Sequence, residues 1–285
     1  MKTFASLCIL IGLAACTTIR PKELAEQPQL TAPVFTHELL DRVLQRFVDA
    51  RGRVDYTGLQ NRTGDLERYY QLLSTYSPDS HPELFPTQQS RLAYWINAYN
   101  AAVLKAVLSH YPISSVADVK APALFFFLPA QSGFFVFQRL VFGAESMSLY
   151  SLENDIVRSR FAEPRIHFAL NCASRGCPRL PASTFKTEHL DEELDRETRN
   201  FVAEERNFRL DHAQKTIFLS SIFQWYESDF LDWYKDRFPD RRATLLDYVS
   251  LYLPDERAAQ LDRAAASYQV EFIPYDWTLN DQHIP

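Results

Sequence analysis

The sequence predicts an α+β fold: a single mostly helical domain packed around a small, largely antiparallel sheet. Three observations predict it. Apolar residues recur at helical spacing in many segments. The strand-like stretches are few and mostly not adjacent along the chain. Seven glycines in 285 residues argue against a turn-rich, all-β architecture. Forty-six per cent apolar content with twenty-one phenylalanines is ample for a globular core.

Taken in order, Phe35 to Ala50 carries Leu39, Leu40, Val43 and Phe47 at helical spacing, and Gly52 ends that helix. Thr63 to Ser77 predicts a second helix, and Pro78 to Pro86 a loop rich in breakers. Arg91 to Tyr111 is the strongest helical stretch. It has no Gly or Pro, and Leu92, Trp95, Ile96, Tyr99, Val103, Ala106 and Val107 share one face. Asn97 and Asn100 project roughly 60° apart on the edge of that face. Buried amides need partners, so they are expected to tie a neighbouring loop or strand to the helix, with pocket lining as the alternative. Ala121 to Ala130, apolar and proline-flanked, is expected to be a lid or cover. Gly133 to Phe142 suits a strand. Ser148 to Arg160 predicts a helix with Ser148 as its N-cap, Glu153 in its middle and Arg158 near its end.

Arg165 to Leu180 then concentrates the chemistry. A strand-like run of Ile166, Phe168 and Leu170 leads to a turn containing Gly176 and Pro178, and the segment holds His167, Asn171, Cys172, Arg175, Cys177 and Arg179. Beyond it, Thr187 to Glu204 predicts a charged helix. Asn207 to Ser220 predicts a hairpin turning at Asp211 to Lys215, and Ser221 to Tyr234 an aromatic, acidic helix. Arg241 to Leu253 and Asp255 to Ala266 predict further helices, and Gln269 to Ile273 a last strand.

The N-terminus predicts an address. Lys2 supplies a positive start, Phe4 to Leu13 a short apolar run, and Leu13-Ala-Ala-Cys16 resembles the cleavage motif of bacterial lipoprotein signal peptides. The resemblance implies that residues 1–15 are removed and that Cys16 carries lipid. Residues 16–34 would be a polar, proline-punctuated tether to a domain spanning 35–285. Thr17, which is not the aspartate of inner-membrane retention, implies a periplasmic protein anchored to the outer membrane. The expected partners are therefore the membrane through that lipid, and an anionic envelope ligand or another envelope protein. The mild net charge of −6 gives no reason to expect nucleic-acid binding.

Several segments together resemble the bacterial family called domain of unknown function 547. They are Gly52-Arg-Val-Asp-Tyr56, Tyr94-Trp-Ile-Asn-Ala-Tyr-Asn100, Ser148-Leu149 with Glu153 and Ile156-Val-Arg158, and His167-Phe-Ala-Leu-Asn-Cys172 through Cys177-Pro178. Ser221-Ile-Phe-Gln-Trp-Tyr226 with Asp229-Phe230, and Tyr275-Asp-Trp-Thr-Leu-Asn280, complete the set. One departure is Ala144-Glu-Ser-Met147, where the family often has a glycine-containing turn leading directly into Ser-Leu. The resemblance implies a fold but no established activity.

Three functional readings follow from the residues. In the first, a thiol-dependent hydrolase or acyltransferase uses Cys172 as nucleophile, His167 as base, and Glu153 or Asn171 to orient the imidazole; Arg158, Arg165, Arg175 and Arg179 would favour the thiolate. Along an extended strand His167 and Cys172 would point to opposite faces roughly 16 Å apart, so a dyad requires a sharp turn at or just before Cys172, or another histidine such as His110, His189 or His212. In the second, Cys172 and Cys177 form a structural disulfide in an oxidising compartment, worth roughly 2 kcal/mol by loop closure, and His167 is a core histidine. In the third, a binding or assembly protein uses Asn97, Asn100, Asn171, Arg158 and Arg175 on a ligand with carboxylate or phosphate groups. Trp225, Tyr226, Trp233 and Tyr234 are expected to be core. No cofactor or metal is expected, since His167, Cys172 and Cys177 lack a fourth ligand and match no standard zinc spacing.

Overall fold

Sixteen consecutive residues, Leu92 to Val107, are buried in the helix Gln88–Leu108. The computed structural model describes residues 16–24, 28, 30 and 34–284, and the expected signal peptide at 1–15 lies outside them. The central helix starts where Thr87 Oγ1 accepts from the Ser90 amide at 3.0 Å while the Thr87 amide donates to Ser90 Oγ at 3.1 Å. Its burial is all round, not confined to one face. Alanines at 93, 98, 101, 102 and 106 let neighbours approach on the sides that a simple apolar stripe leaves to solvent. Lys105 is tolerated inside because Glu67, on the helix Gly64–Thr75, pairs with it at 2.5 Å.

Helix Glu38–Phe47 packs on Gly64–Thr75, which in turn packs on the central helix. Beside them lies a three-stranded sheet in the order β1 (Thr17–Thr18), β2 (Gln138–Phe142), β3 (Glu145–Ser148). The β2–β3 hairpin turns through Gly143 and Ala144 with φ of 55° and 72°. Both left-handed angles match the tight hairpin turn that follows the strand twist. The Ala144 to Met147 insertion is therefore this hairpin, and the helix begins at Leu149, capped by Ser148 Oγ accepting from the Ser151 amide at 3.0 Å.

A second sheet, β4 (Phe208–Asp211), β5 (Thr216–Ser220) and β6 (Gln269–Ile273), backs a second core of Phe201, Phe223, Phe230 and Tyr248. Helices Leu190–Ala203, Glu227–Arg237 and Leu245–Ser250 close it. The α+β class holds, but the expected largely antiparallel sheet is corrected: among the described residues there are two sheets and both are mixed. Thr17 pairs parallel with Gln138, and Ile217 parallel with Val270. Each parallel partner is reached by a long crossover, which tight turns cannot supply.

Three local expectations also change. Residues 166–172 are not a strand: Pro164–Phe168 is a 3-10 turn, opened by Pro164 and by Glu163 accepting from the Arg165 amide at 3.1 Å. Ile166, His167 and Phe168 are all buried, so no half-exposed face remains for period-two alternation to report. Ile166 joins the first core and Phe168 the second, which places this turn where the cores meet. The strand expected over 133–142 is β2 alone, preceded by a helical turn at Ser132–Phe135. The expected lid at 121–130 instead directs Leu124, Phe126 and Phe127 to solvent. Among the described residues no helix is long and apolar enough to cross a membrane.

Candidate functional site

The 3-10 turn aims His167 at Asp229 of helix Glu227–Arg237, with Nε2 2.8 Å from Oδ2. Arg158 closes the other side of Asp229 with a two-pronged contact, Nε to Oδ2 and Nη2 to Oδ1, both 2.8 Å. The segment Leu152–Arg158 is wound as a π-helix and supplies both Glu153 and Arg158. Tyr226 sits at the break between helices Ser221–Trp225 and Glu227–Arg237. Its ring stacks on His167 at 3.8 Å, and its hydroxyl donates to Glu153 Oε1 at 2.5 Å. Tyr99 of the central helix donates to the other Glu153 oxygen at 3.3 Å.

The electrostatics follow from burial. Burial pushes the His167 pKa below its ordinary value, although Asp229 pulls upward, so the imidazole is neutral at neutral pH. With Nε2–H directed at Asp229, Nδ1 keeps the lone pair, and it bonds to no described residue. Burial opposes ionisation of Asp229, but the bonds from His167 and Arg158 prevail and hold its carboxyl below the usual carboxylate range. Burial and the neighbouring Glu153 carboxylate push the Tyr226 and Tyr99 phenols far up, which keeps both as donors.

A disulfide joins Cys172 and Cys177, whose Cα atoms are 6.1 Å apart. The intervening turn places Ala173 at φ 60°. The Tyr275 hydroxyl lies 2.8 Å from Cys172 Sγ and 3.0 Å from Cys177 Sγ, and disulfide sulfurs cannot donate, so the phenol does. Burial raises the Tyr275 pKa, which keeps that proton in place.

Glu153, His167, Cys172 and Cys177 line one cavity of about 440 Å³. Trp225, Tyr226, Tyr275 and Trp277 complete much of its wall. Departure from strand geometry is what brings His167 and Cys172 to the same space. Other residues singled out in the sequence are elsewhere. Asn97 exchanges bonds with the Phe185 amide and carbonyl at 2.9 and 2.8 Å. Asn100 accepts from the Asn171 amide at 2.8 Å and donates to the Ala169 carbonyl at 3.0 Å. Asn171 staples the disulfide loop, donating to the Pro178 carbonyl and accepting from the Ala173 amide.

None of the four arginines expected to favour a thiolate is directed at sulfur. Arg158 faces Asp229, Arg165 faces Glu163, Asp191 and Asp195, and Arg179 faces Glu197. Arg175 donates to the Ile284 carbonyl and borders a second cavity of about 500 Å³ with Arg51, Arg53, Arg179 and Arg206. Cys16 precedes β1, at the edge of the first sheet. Among the described residues no cluster of three or more His, Cys, Asp or Glu is placed to hold a metal.

Sequence reasoning missed Tyr99, Asp229, Tyr275 and Trp277 as site residues. All four lie inside the motifs that carried the family resemblance, which was the available signal. Of the aromatics expected in the core, Tyr234 is buried, whereas Trp225 is 48% exposed at the cavity rim.

No curated protein and no solved structure matches the chain. Residues 84–202, which span the central helix, Glu153, His167 and both disulfide cysteines but stop short of Tyr226, Asp229 and Tyr275, match the model of the family described as "Protein of unknown function, DUF547".

Proposed function

We propose that this chain is a lipid-anchored envelope protein that binds a small, largely apolar ligand in the aromatic cavity. One observation carries the reading. A half-open cleft of about 440 Å³ is walled by Trp225, Tyr226, Tyr275 and Trp277, with Glu153 and His167 among its polar groups. That is the usual make-up of a small-molecule site, with apolar walls for affinity and few polar groups for orientation. The disulfide forms part of the wall, so no thiol is free there to act as a nucleophile. The Leu13 to Cys16 motif supports the anchor, and a disulfide suits an oxidising compartment.

The test is titration with a neutral naphthylamine dye that fluoresces in apolar surroundings. Saturable binding at one site per chain is expected, abolished by Val136→Trp, which fills the cavity from its wall. Dye binding that survives this substitution would place the site elsewhere.

A second reading, the thiol-dependent hydrolase or acyltransferase, is favoured by His167 and Cys172 lining the same cavity. It requires reduction of the disulfide to release Cys172. An electrophilic thiol probe that modifies Cys172 without added reductant would establish it over the binding reading. Capture of an anionic envelope ligand attaches to the second cavity, at Arg51, Arg53 and Arg175. Their joint replacement by alanine should abolish binding of inorganic phosphate, and unchanged binding would retire that idea.

A further inference from the structure

We propose that Leu124, Phe126 and Phe127 form a membrane-inserting tip, and that the bilayer it enters is the one that holds the Cys16 lipid. These three side chains are 64%, 87% and 69% exposed on one short turn. Neighbouring large apolar residues at such exposure mark a surface that meets something apolar. The turn is held in shape by its own backbone: Phe125 donates to the Pro122 carbonyl at 2.8 Å, and Leu128 to the Phe125 carbonyl at 3.0 Å. Its base is pinned as well. The helical turn Ser132–Phe135 approaches the preceding chain so closely that a Cβ on Gly133 would sit 1.9 Å from the Val119 carbonyl oxygen. A preformed tip loses little conformational entropy on insertion.

The bilayer is selected as partner by the position of Cys16. The Thr17 amide donates to the Phe137 carbonyl at 3.0 Å, in the parallel pairing of β1 with β2. The Phe137 ring packs on Phe125 at 4.8 Å, and Phe125 is the inward residue of the exposed turn. Thr17, next to Cys16, and Phe125, at the base of the tip, are therefore joined through one residue, Phe137, so that an acyl group on Cys16 would enter the same bilayer as Phe126 and Phe127.

The same segment also borders the cavity. Pro129, Gln131, Ser132, Phe135 and Val136 line it, and Tyr150 and Trp225, both partly exposed, stand at its rim. Tyr and Trp are the residues that settle at membrane–water interfaces. Insertion of the tip would bring the cavity mouth to the bilayer surface, so the ligand class is an amphiphile with an apolar body, taken from or returned to the membrane. The choice of the bilayer as partner rests on reading Cys16 as lipidated and the ligand class on the binding reading above, whereas the exposure of the tip rests on neither.

The experiment uses the full chain, purified with its native N-terminus and reconstituted in vesicles of phosphatidylethanolamine and phosphatidylglycerol. A polarity-sensitive fluorophore is attached through Phe126→Cys or, as a control, through Gln214→Cys on the exposed β4–β5 turn. Both sites are exposed, so folding is preserved. The label at 126 is expected to shift to shorter wavelength on vesicles and to be quenched by spin-labelled lipid, whereas the label at 214 keeps its aqueous spectrum. A label at 126 that stays in water on vesicles overturns the proposal. So does a shift that needs only concentrated protein without vesicles, which would identify a second copy of the chain as the partner. The mass of the N-terminal peptide reads acylation of Cys16 separately, and dye titration reads the cavity, so failure of the tip is distinguishable from failure of the anchor or of the ligand reading.

Discussion

Replacing Asp229 with asparagine probes the linkage on which the site is built. Asp229 accepts one charge-assisted bond from His167 and two from Arg158. The His167 side chain is 1% exposed and that of Asp229 25%. Breaking a fully buried pair costs about 3–5 kcal/mol because the remaining partner is stranded. Water reaches part of the Arg158–Asp229 contact and screens it, so the expected loss for Asp229→Asn is about 2–3 kcal/mol. Urea unfolding at pH 7, followed by tryptophan fluorescence, measures it.

The pH dependence gives the second readout. The folded pKa of Asp229 is depressed, so its contribution is present above the unfolded value of about 3.9 and is lost as pH falls through the folded value. His167 is also depressed, by burial. Its contribution is complete above about 6.5 and declines below it, because the unfolded chain takes the proton first. The parent protein should lose stability in both windows, and Asp229→Asn should keep the His167 window below about 6.5 while lacking the Asp229 window below about 3.9. A loss at pH 7 under about 0.5 kcal/mol, the range of an ordinary surface substitution, would refute the reasoning. An unchanged acid slope below pH 4 would refute the assignment of that slope to Asp229.

Two further outcomes are expected. Native protein treated with maleimide should carry no label at Cys172 or Cys177 until it is reduced, and joint replacement of both by alanine should lower stability by roughly 2 kcal/mol in calorimetry; labelling of either without reductant contradicts the disulfide. Asn100→Leu strands the Asn171 amide and the Ala169 carbonyl and should cost about 2–4 kcal/mol in thermal unfolding, with Asn97→Leu acting similarly at Phe185. A near-unchanged melting temperature in either would mean that the amides are not the ties described.

The fold was legible where local signals agree. Ser148 and the uninterrupted run after Arg91 announce helices because capping and propensity act within a few residues. The hairpin at 207–220 is readable for the same reason, with a polar turn between two apolar runs. Legibility failed at residues 166–172, because in a fully buried segment the apolar pattern reports burial and not geometry, and Pro164 with Glu163 sets a helical turn instead. It also failed at residues 121–130, since an apolar stretch does not disclose whether it faces inward or outward.

For the site, residue types and spacing by themselves supplied the expectation that chemistry would collect at His167, Cys172 and Cys177, and determined that the Asn97 and Asn100 amides would need partners. They also supplied the expectation of a lipid at Cys16. Only the tertiary structure decided that His167 meets Asp229 from 62 residues away, and that Tyr275, 103 residues from Cys172, faces the disulfide. It alone turned the arginines toward carboxylates and linked Thr17 to Phe125 through Phe137. The physical reason is range. Capping, turn chemistry and short loop closure act between near neighbours and are written in the local order of residues, whereas the partners of a buried side chain are chosen by the packing of elements distant in the chain.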